Sequence, residues 1–198
     1  MAEQKQTGKN RKKGHPVRIT IIVLLIALIG LTAFLYYRPF HSCSEFLEAY
    51  QTGDEKNVTS LLDAGEIGGE VKLDGYAEIL SERMEFKIKG MEKLMLPFAD
   101  TCNIQVEITN VDFAALVEQQ NPWEFISGEN EEAYQGALLV SVLSETAPMS
   151  VYPVDVMMVK TGGAWKVRMT STLSNALLGN FPYYYQQLIE EYLRGDTE

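Results

Sequence analysis

Cys102-Asn103-Ile104-Gln105-Val106-Glu107-Ile108 alternates apolar and polar residues along its whole length. Successive side chains of an extended chain point to opposite faces, so Cys102, Ile104, Val106 and Ile108 make one apolar face. The stretch predicts a strand with one face buried and one face wet, which belongs to an antiparallel sheet covered on a single side. Asp112 follows it closely and can cap a helix over Phe113 to Gln120, which Asn121-Pro122 ends.

Working outward, Met84-Glu85-Phe86-Lys87-Ile88-Lys89 repeats the alternation and predicts a second strand. Upstream of it the apolar spacing is helical. Ser42 and Glu45 stand in capping-box spacing and open a helix through Cys43, Phe46, Leu47 and Tyr50, which Thr52-Gly53-Asp54 breaks. A short helix over Glu55–Asp63 and another over Leu73–Arg83 follow. Downstream, strands are predicted over Tyr134–Ser144, Val151–Lys160 and Trp165–Met169, with Thr161-Gly162-Gly163 as a tight turn before the last. Leu173, Leu177 and Leu178 predict a short helix. Tyr184, Leu188, Ile189 and Tyr192 predict a final amphipathic one, and Gly179-Asn180-Phe181-Pro182 separates the two. The fold class is therefore α+β: one N-terminal transmembrane helix, then a single domain with helices packed on a curved antiparallel sheet.

The membrane reading rests on charge and length. Residues 1–18 carry Lys5, Lys9, Arg11, Lys12, Lys13 and Arg18 against Glu3 alone, although the whole chain has a net charge of −10. Ile19 to Tyr37 contains no charge and spans roughly 28 Å as a helix, enough for the hydrocarbon core of a bilayer. Tyr36 and Tyr37 sit where interfacial aromatics belong, and Pro39 is expected to close the helix at Arg38. A cleaved signal peptide would have a shorter apolar run and a better cleavage site than Leu31-Thr32-Ala33. The expected layout is a basic cytoplasmic tail over residues 1–18, a transmembrane helix over 19–37, a juxtamembrane linker over 38–42 and an extracytoplasmic domain over 43–198. The positive-inside rule places the N-terminus in the cytoplasm of a single-pass cell-membrane protein. The acidic body argues against nucleic acid as a partner.

Three stretches carry a resemblance to the nuclear transport factor 2-like superfamily, the cystatin-like cone fold. They are the helix-and-break Phe46-Leu47-Glu48-Ala49-Tyr50-Gln51-Thr52-Gly53-Asp54, the strand-to-helix step from Ile104 to Phe113, and the hairpin from Val156 to Val167. The likeness covers most of residues 43–180 and resembles the membrane-anchored domains of Gram-positive bacteria. The helix at Phe113–Gln120 and the tyrosine-rich tail are additions to the simplest pattern. Such a fold hosts enzymes and binding modules alike, so it implies no single activity.

Few residues offer chemistry. The two histidines, His15 and His41, lie in the tail and beside the span, so the domain body lacks the commonest general base and metal ligand. An isomerase-like site in this fold would need an inward carboxylate such as Asp112 or Asp155, with Tyr152 near it; solvated carboxylates are the plainer reading. Glu129, Glu131 and Glu132 lack the order of a calcium loop. Asn57-Val58-Thr59 fits a glycosylation acceptor but falls within a predicted helix. Cys43 and Cys102 are either two buried thiols, the simpler reading, or a disulfide tying the first helix to the sheet. Three consecutive tyrosines cannot all face inward, so Tyr183 and Tyr185 are the candidate partner surface of a helix that otherwise packs as core. No catalytic, cofactor or metal-binding residue is called for. The expectation is a non-enzymatic domain that binds an unknown protein or cell-envelope ligand, with the lipid bilayer engaged through residues 19–37. The alternatives are a pocket enzyme of the isomerase type and a scaffold subunit of an envelope or secretion complex.

Overall fold

The computed structural model describes residues 16–63, 75–91, 99–120 and 131–194. The chain divides into two compact units, Met1–Leu35 and Tyr36–Glu198. The part of helix α1 (Pro16–Gln51) that belongs to the first carries Ile21 to Phe34, whose large apolar side chains are 52–67% exposed. This helix is long and apolar enough to cross a membrane.

α1 runs through Arg38 and Pro39 rather than ending there. Residues 38–42, expected as a linker, are helical, and Ser42 opens no new helix. Proline removes one helical hydrogen bond, at a cost of about 3 kcal/mol. Downstream of it, Cys43, Phe46, Leu47 and Tyr50 are buried on one helical face. Each large apolar side chain so buried stabilises by roughly 1.5–3 kcal/mol, and together they outweigh the broken turn.

In the second unit, α1 is followed by α2 (Glu55–Leu61), α3 (Tyr76–Arg83), β1 (Glu85–Met91), β2 (Thr101–Val111) and α4 (Phe113–Gln119). Then come α5 (Glu131–Leu143), β3 (Met149–Thr161), β4 (Ala164–Arg168), α6 (Ser171–Leu177) and α7 (Phe181–Arg194). The strands make one antiparallel sheet in the order β1-β2-β3-β4. The α+β reading therefore holds, and the alternation around Ile104 explains it. Ile104, Val106 and Ile108 are buried and pair with Val156, Val154 and Tyr152 of β3, while Gln105 and Asp155 pair on the exposed face. The register between β1 and β2 shifts around Lys89. Gly162 and Gly163, at φ +61° and +84°, make the two-residue turn between β3 and β4; both positions need the left-handed region that a type I′ turn uses.

Residues Tyr134–Ser144 are not a strand: α5 covers Glu131–Leu143. Leu138 and Val142 are buried four residues apart, while Val140 between them is 70% exposed, which is helical spacing. The run Leu138-Leu139-Val140-Ser141-Val142-Leu143 is a short apolar stretch whose pattern alone does not separate strand from helix, and packing on α4 decides its state. Arg83 then closes its C-terminal end, donating to the carbonyls of Val142 and of Ser144, the latter at 2.6 Å.

Two cores result. The inner sheet face packs Ile104, Val106, Ile108, Val156 and Met158 against Cys43, Phe46, Leu47, Val58, Leu173 and Leu177, with Trp165 and Val167 of β4. A second core gathers Leu80, Val111, Phe113, Leu116, Val117, Leu138, Val142, Tyr184 and Leu188 from the helices. The open edge of β4 is covered where Leu62 bridges Val167 and Asp63 N–H donates to the Val167 carbonyl at 2.8 Å.

Candidate functional site

Of the two candidate general bases, Asp112 holds the fold and Asp155 lies apart from it on the solvent side. Asp112, at the end of β2, caps α4: its Oδ1 accepts from Ala115 N–H at 3.1 Å and its Oδ2 from the Ser150 hydroxyl at 2.8 Å. Asp155 stands on the outer sheet face opposite Gln105, exposed to solvent. Tyr152 is on the inner face, half-buried against the first core. Its phenol is pushed up to about 12, first by burial and then by the nearby Asp112 carboxylate, against the pull of the Ser150 hydroxyl. The structure thus groups Asp112, Ser150 and Tyr152 and leaves Asp155 outside. Ser150 was not legible as a partner, because the pairing of Ser150 with Asn110 fixes its position and registers are not written in one strand.

Tyr183, Tyr184 and Tyr185 divide as the helical argument requires. Tyr184 is buried in the second core, whereas Tyr183 is 50% and Tyr185 40% exposed. Tyr183 accepts from Gln187 Nε2 at 2.9 Å, and Tyr185 packs on Phe181 at 5.6 Å between ring centroids. Phe181 in turn meets Phe113 edge-on at 4.7 Å, which locks α7 to α4.

Cys43 and Cys102 are unbonded thiols that both pack into the first core. Burial raises Cys43 to about 12, with a further push from Cys102, and burial raises Cys102 to about 11. His41 lies on α1, stacked on Tyr37 at 5.3 Å and 3.2 Å from Glu45; His15 and Glu129 fall outside the described residues. Glu131 and Glu132 belong to α5 rather than to a loop. Asn57 lies in α2, its amide donating to the capping Asp54 at 2.7 Å.

Two shallow grooves mark the surface. One, of about 370 Å³, lies on the outer sheet face among Lys89, Gln105, Glu107, Pro153 and Asp155, crossed by the Lys89–Glu107 ion pair at 2.7 Å. The other, of about 490 Å³, runs between α1 and α2 beside Glu45, Glu48 and Asp54. Among the described residues no group of histidine, cysteine and carboxylate side chains is arranged to hold a metal ion. Comparisons of the chain with protein-family models, with curated proteins and with solved structures find no match.

Proposed function

We propose that the protein is a membrane-tethered binding domain. Ile19 to Tyr37 crosses the cell membrane once with the basic segment in the cytoplasm. The α+β unit works outside, holding a protein or cell-envelope ligand without changing it chemically. The observation that carries this reading is the exposed apolar surface from Ile21 to Phe34. In water such a surface is unfavourable by about 25 cal/mol for each Å², and a bilayer removes that cost. The capping and bridging roles of Asp54, Asp112 and Asp63 support a binding domain over a catalytic one. The exposed Tyr183 and Tyr185 supply the aromatic, polar-tipped surface that protein interfaces favour. The α+β layout, with helices leading into an antiparallel sheet, is what a nuclear transport factor 2-like origin would need.

The test is photo-cross-linking of the full chain in its own membrane, with a photoreactive phenylalanine at position 183 or 185 and a control at Lys56. A discrete adduct from the two aromatic positions and none from Lys56 is expected. Adducts equal at all three positions, or absent from 183 and 185, would overturn the binding surface. Protease added to intact cells, with only the outer envelope opened, should digest the domain without lysis; protection until lysis would overturn the topology. The isomerase-type reading is favoured by one observation, the closeness of Tyr152 to Asp112.

A further inference from the structure

Cys43 on α1 and Cys102 on β2 pack into the same core. Gln51 Nε2 donates to the Met84 carbonyl at 2.7 Å, which pins the C-terminal end of α1 at the start of β1. Glu85 pairs with Thr109, so this end of the helix lies by the far end of β2. Running back from Gln51, the residues Tyr50, Leu47, Phe46 and Cys43 pack into the inner-face core, and Cys102 packs into the same core from the opposite end of β2. Cys43 is wholly buried, while Cys102 stays partly open to solvent. The two thiols are near enough for the charge of one to be felt by the other. Both thiols thus face one core, Cys43 enclosed on the first helix and Cys102 reachable by an oxidant on a central strand, the placement from which a bond could join helix to sheet.

We propose that the free thiols of Cys43 and Cys102 are oxidised to a disulfide when the domain folds in an oxidising compartment. The compartment rests on the extracytoplasmic placement proposed above; the pairing does not. In the first step the Cys102 thiolate attacks a sulfur of a disulfide carrier, either a protein disulfide or oxidised glutathione, and expels one carrier thiol. In the second, Cys43 gives up its proton and attacks Cys102 Sγ, expelling the second carrier thiol. Two S–H groups become one S–S bond, and one carrier disulfide becomes two thiols. Burial of Cys43 makes the second step slow once the core is closed, so the bond forms as the chain folds. It closes a loop of about 60 residues, and its reduction should lower Tm by roughly 10 °C.

The test has two arms. Full chain is refolded in detergent in a buffer of oxidised and reduced glutathione, then denatured, alkylated and weighed intact. A monomer that takes no alkyl group, and takes two after reduction, supports the pairing. Two alkyl groups without reduction, or dimers linked through either cysteine, overturn it. Cys43→Ala and Cys102→Ala should each leave one alkylatable thiol and remove the response of Tm to reductant. In the second arm, full chain is taken from its own membrane into an alkylating quench. The unalkylated form is expected here too. If the refolded protein pairs but the membrane-derived protein carries two free thiols, the pairing stands and the extracytoplasmic placement falls.

Discussion

Gly179 is the position where one methyl group should do the most damage. It links α6 to α7 at φ +58°, and a Cβ built there would lie 2.1 Å from the Val111 carbonyl oxygen and 3.3 Å from its carbon. Ordinary C···O contacts are about 3.3–3.6 Å, so backbone must move by about 1.2 Å or more. Neither side can yield freely. Val111 is paired with Met149 across the sheet, and the Gly179 carbonyl accepts from Phe113 N–H at 3.1 Å. Alanine in the left-handed region costs about 1–2 kcal/mol. Overpacking adds about 1–3 kcal/mol, and a weakened Phe113–Gly179 hydrogen bond about 1 kcal/mol. Gly179→Ala should therefore destabilise by roughly 3–6 kcal/mol, which at this size lowers Tm by roughly 10–20 °C. Gly53 is the control: its φ is +68°, but a Cβ there meets nothing within 4 Å. Gly53→Ala should cost only the conformational part, about 1–2 kcal/mol. Thermal unfolding of the full-length variants in detergent, followed by tryptophan fluorescence and circular dichroism, reads the difference. Two variants melting within a degree or two of each other would refute the close approach of α6–α7 to β2.

Trp165→Ala should lower stability by roughly 3–5 kcal/mol, because Trp165 is buried in the first core; urea unfolding checks it, and a parental midpoint would count against it. Arg168, whose Nη2 is 2.8 Å from Asp63 Oδ2, holds the Asp63 carboxyl below its ordinary 3.8. A lowered folded-state value means that the pair stabilises above about pH 4 and that this is lost as pH falls through the lower value. Asp63→Asn should then flatten the fall of Tm between pH 5 and pH 2, and unchanged steepness would exclude the pair as a source of acid sensitivity. Removing residues 180–198 deletes Phe181, Tyr184 and Leu188 from the second core, so the shortened chain should bind a hydrophobic dye and melt earlier. A truncation with the parental melting curve would make α7 an arm instead of part of the core.

The elements that were legible are those whose pattern is local. The alternation of β2, the capping Asp112 and the Gly162-Gly163 turn each state their structure within a few residues. What was not legible depends on partners far along the chain. The apolar run within α5 is too short for its pattern to separate strand from helix; the helix is decided by α4 packing on Leu138 and Val142, and by Arg83 at its C-terminal end, 59 and 61 residues from the two carbonyls it meets. Pro39 looked like a stop because the proline rule is local, while the burial that overrides it is tertiary. For the candidate site the division is the same. That Tyr183 and Tyr185 flank a buried Tyr184 follows from helical geometry alone, but the meeting of Asp112, Ser150 and Tyr152 follows from the register of β2 with β3.

The filling of the inner sheet face narrows where recognition can happen. In an α+β unit of this layout the covered face of the sheet is the natural place for a pocket. Here Phe46, Leu47 and Tyr50 of α1 and Leu173, Ala176 and Leu177 of α6 occupy it with buried side chains. Their own segments supply what a ligand would otherwise provide, and opening that face would expose the first core. The outer face offers charged and polar groups at Lys89, Glu107 and Asp155 in a shallow groove. Rim charges of that kind tune association more than they hold a partner. Tyr183 and Tyr185 differ because their backbone is fixed by Tyr184 and Leu188 beneath them. Aromatic side chains on a rigid helix lose little freedom on binding, which is the property of an anchor. The helix therefore has two faces: its inner face closes the second core, and its outer face presents Tyr183 and Tyr185, the surface proposed above for a partner.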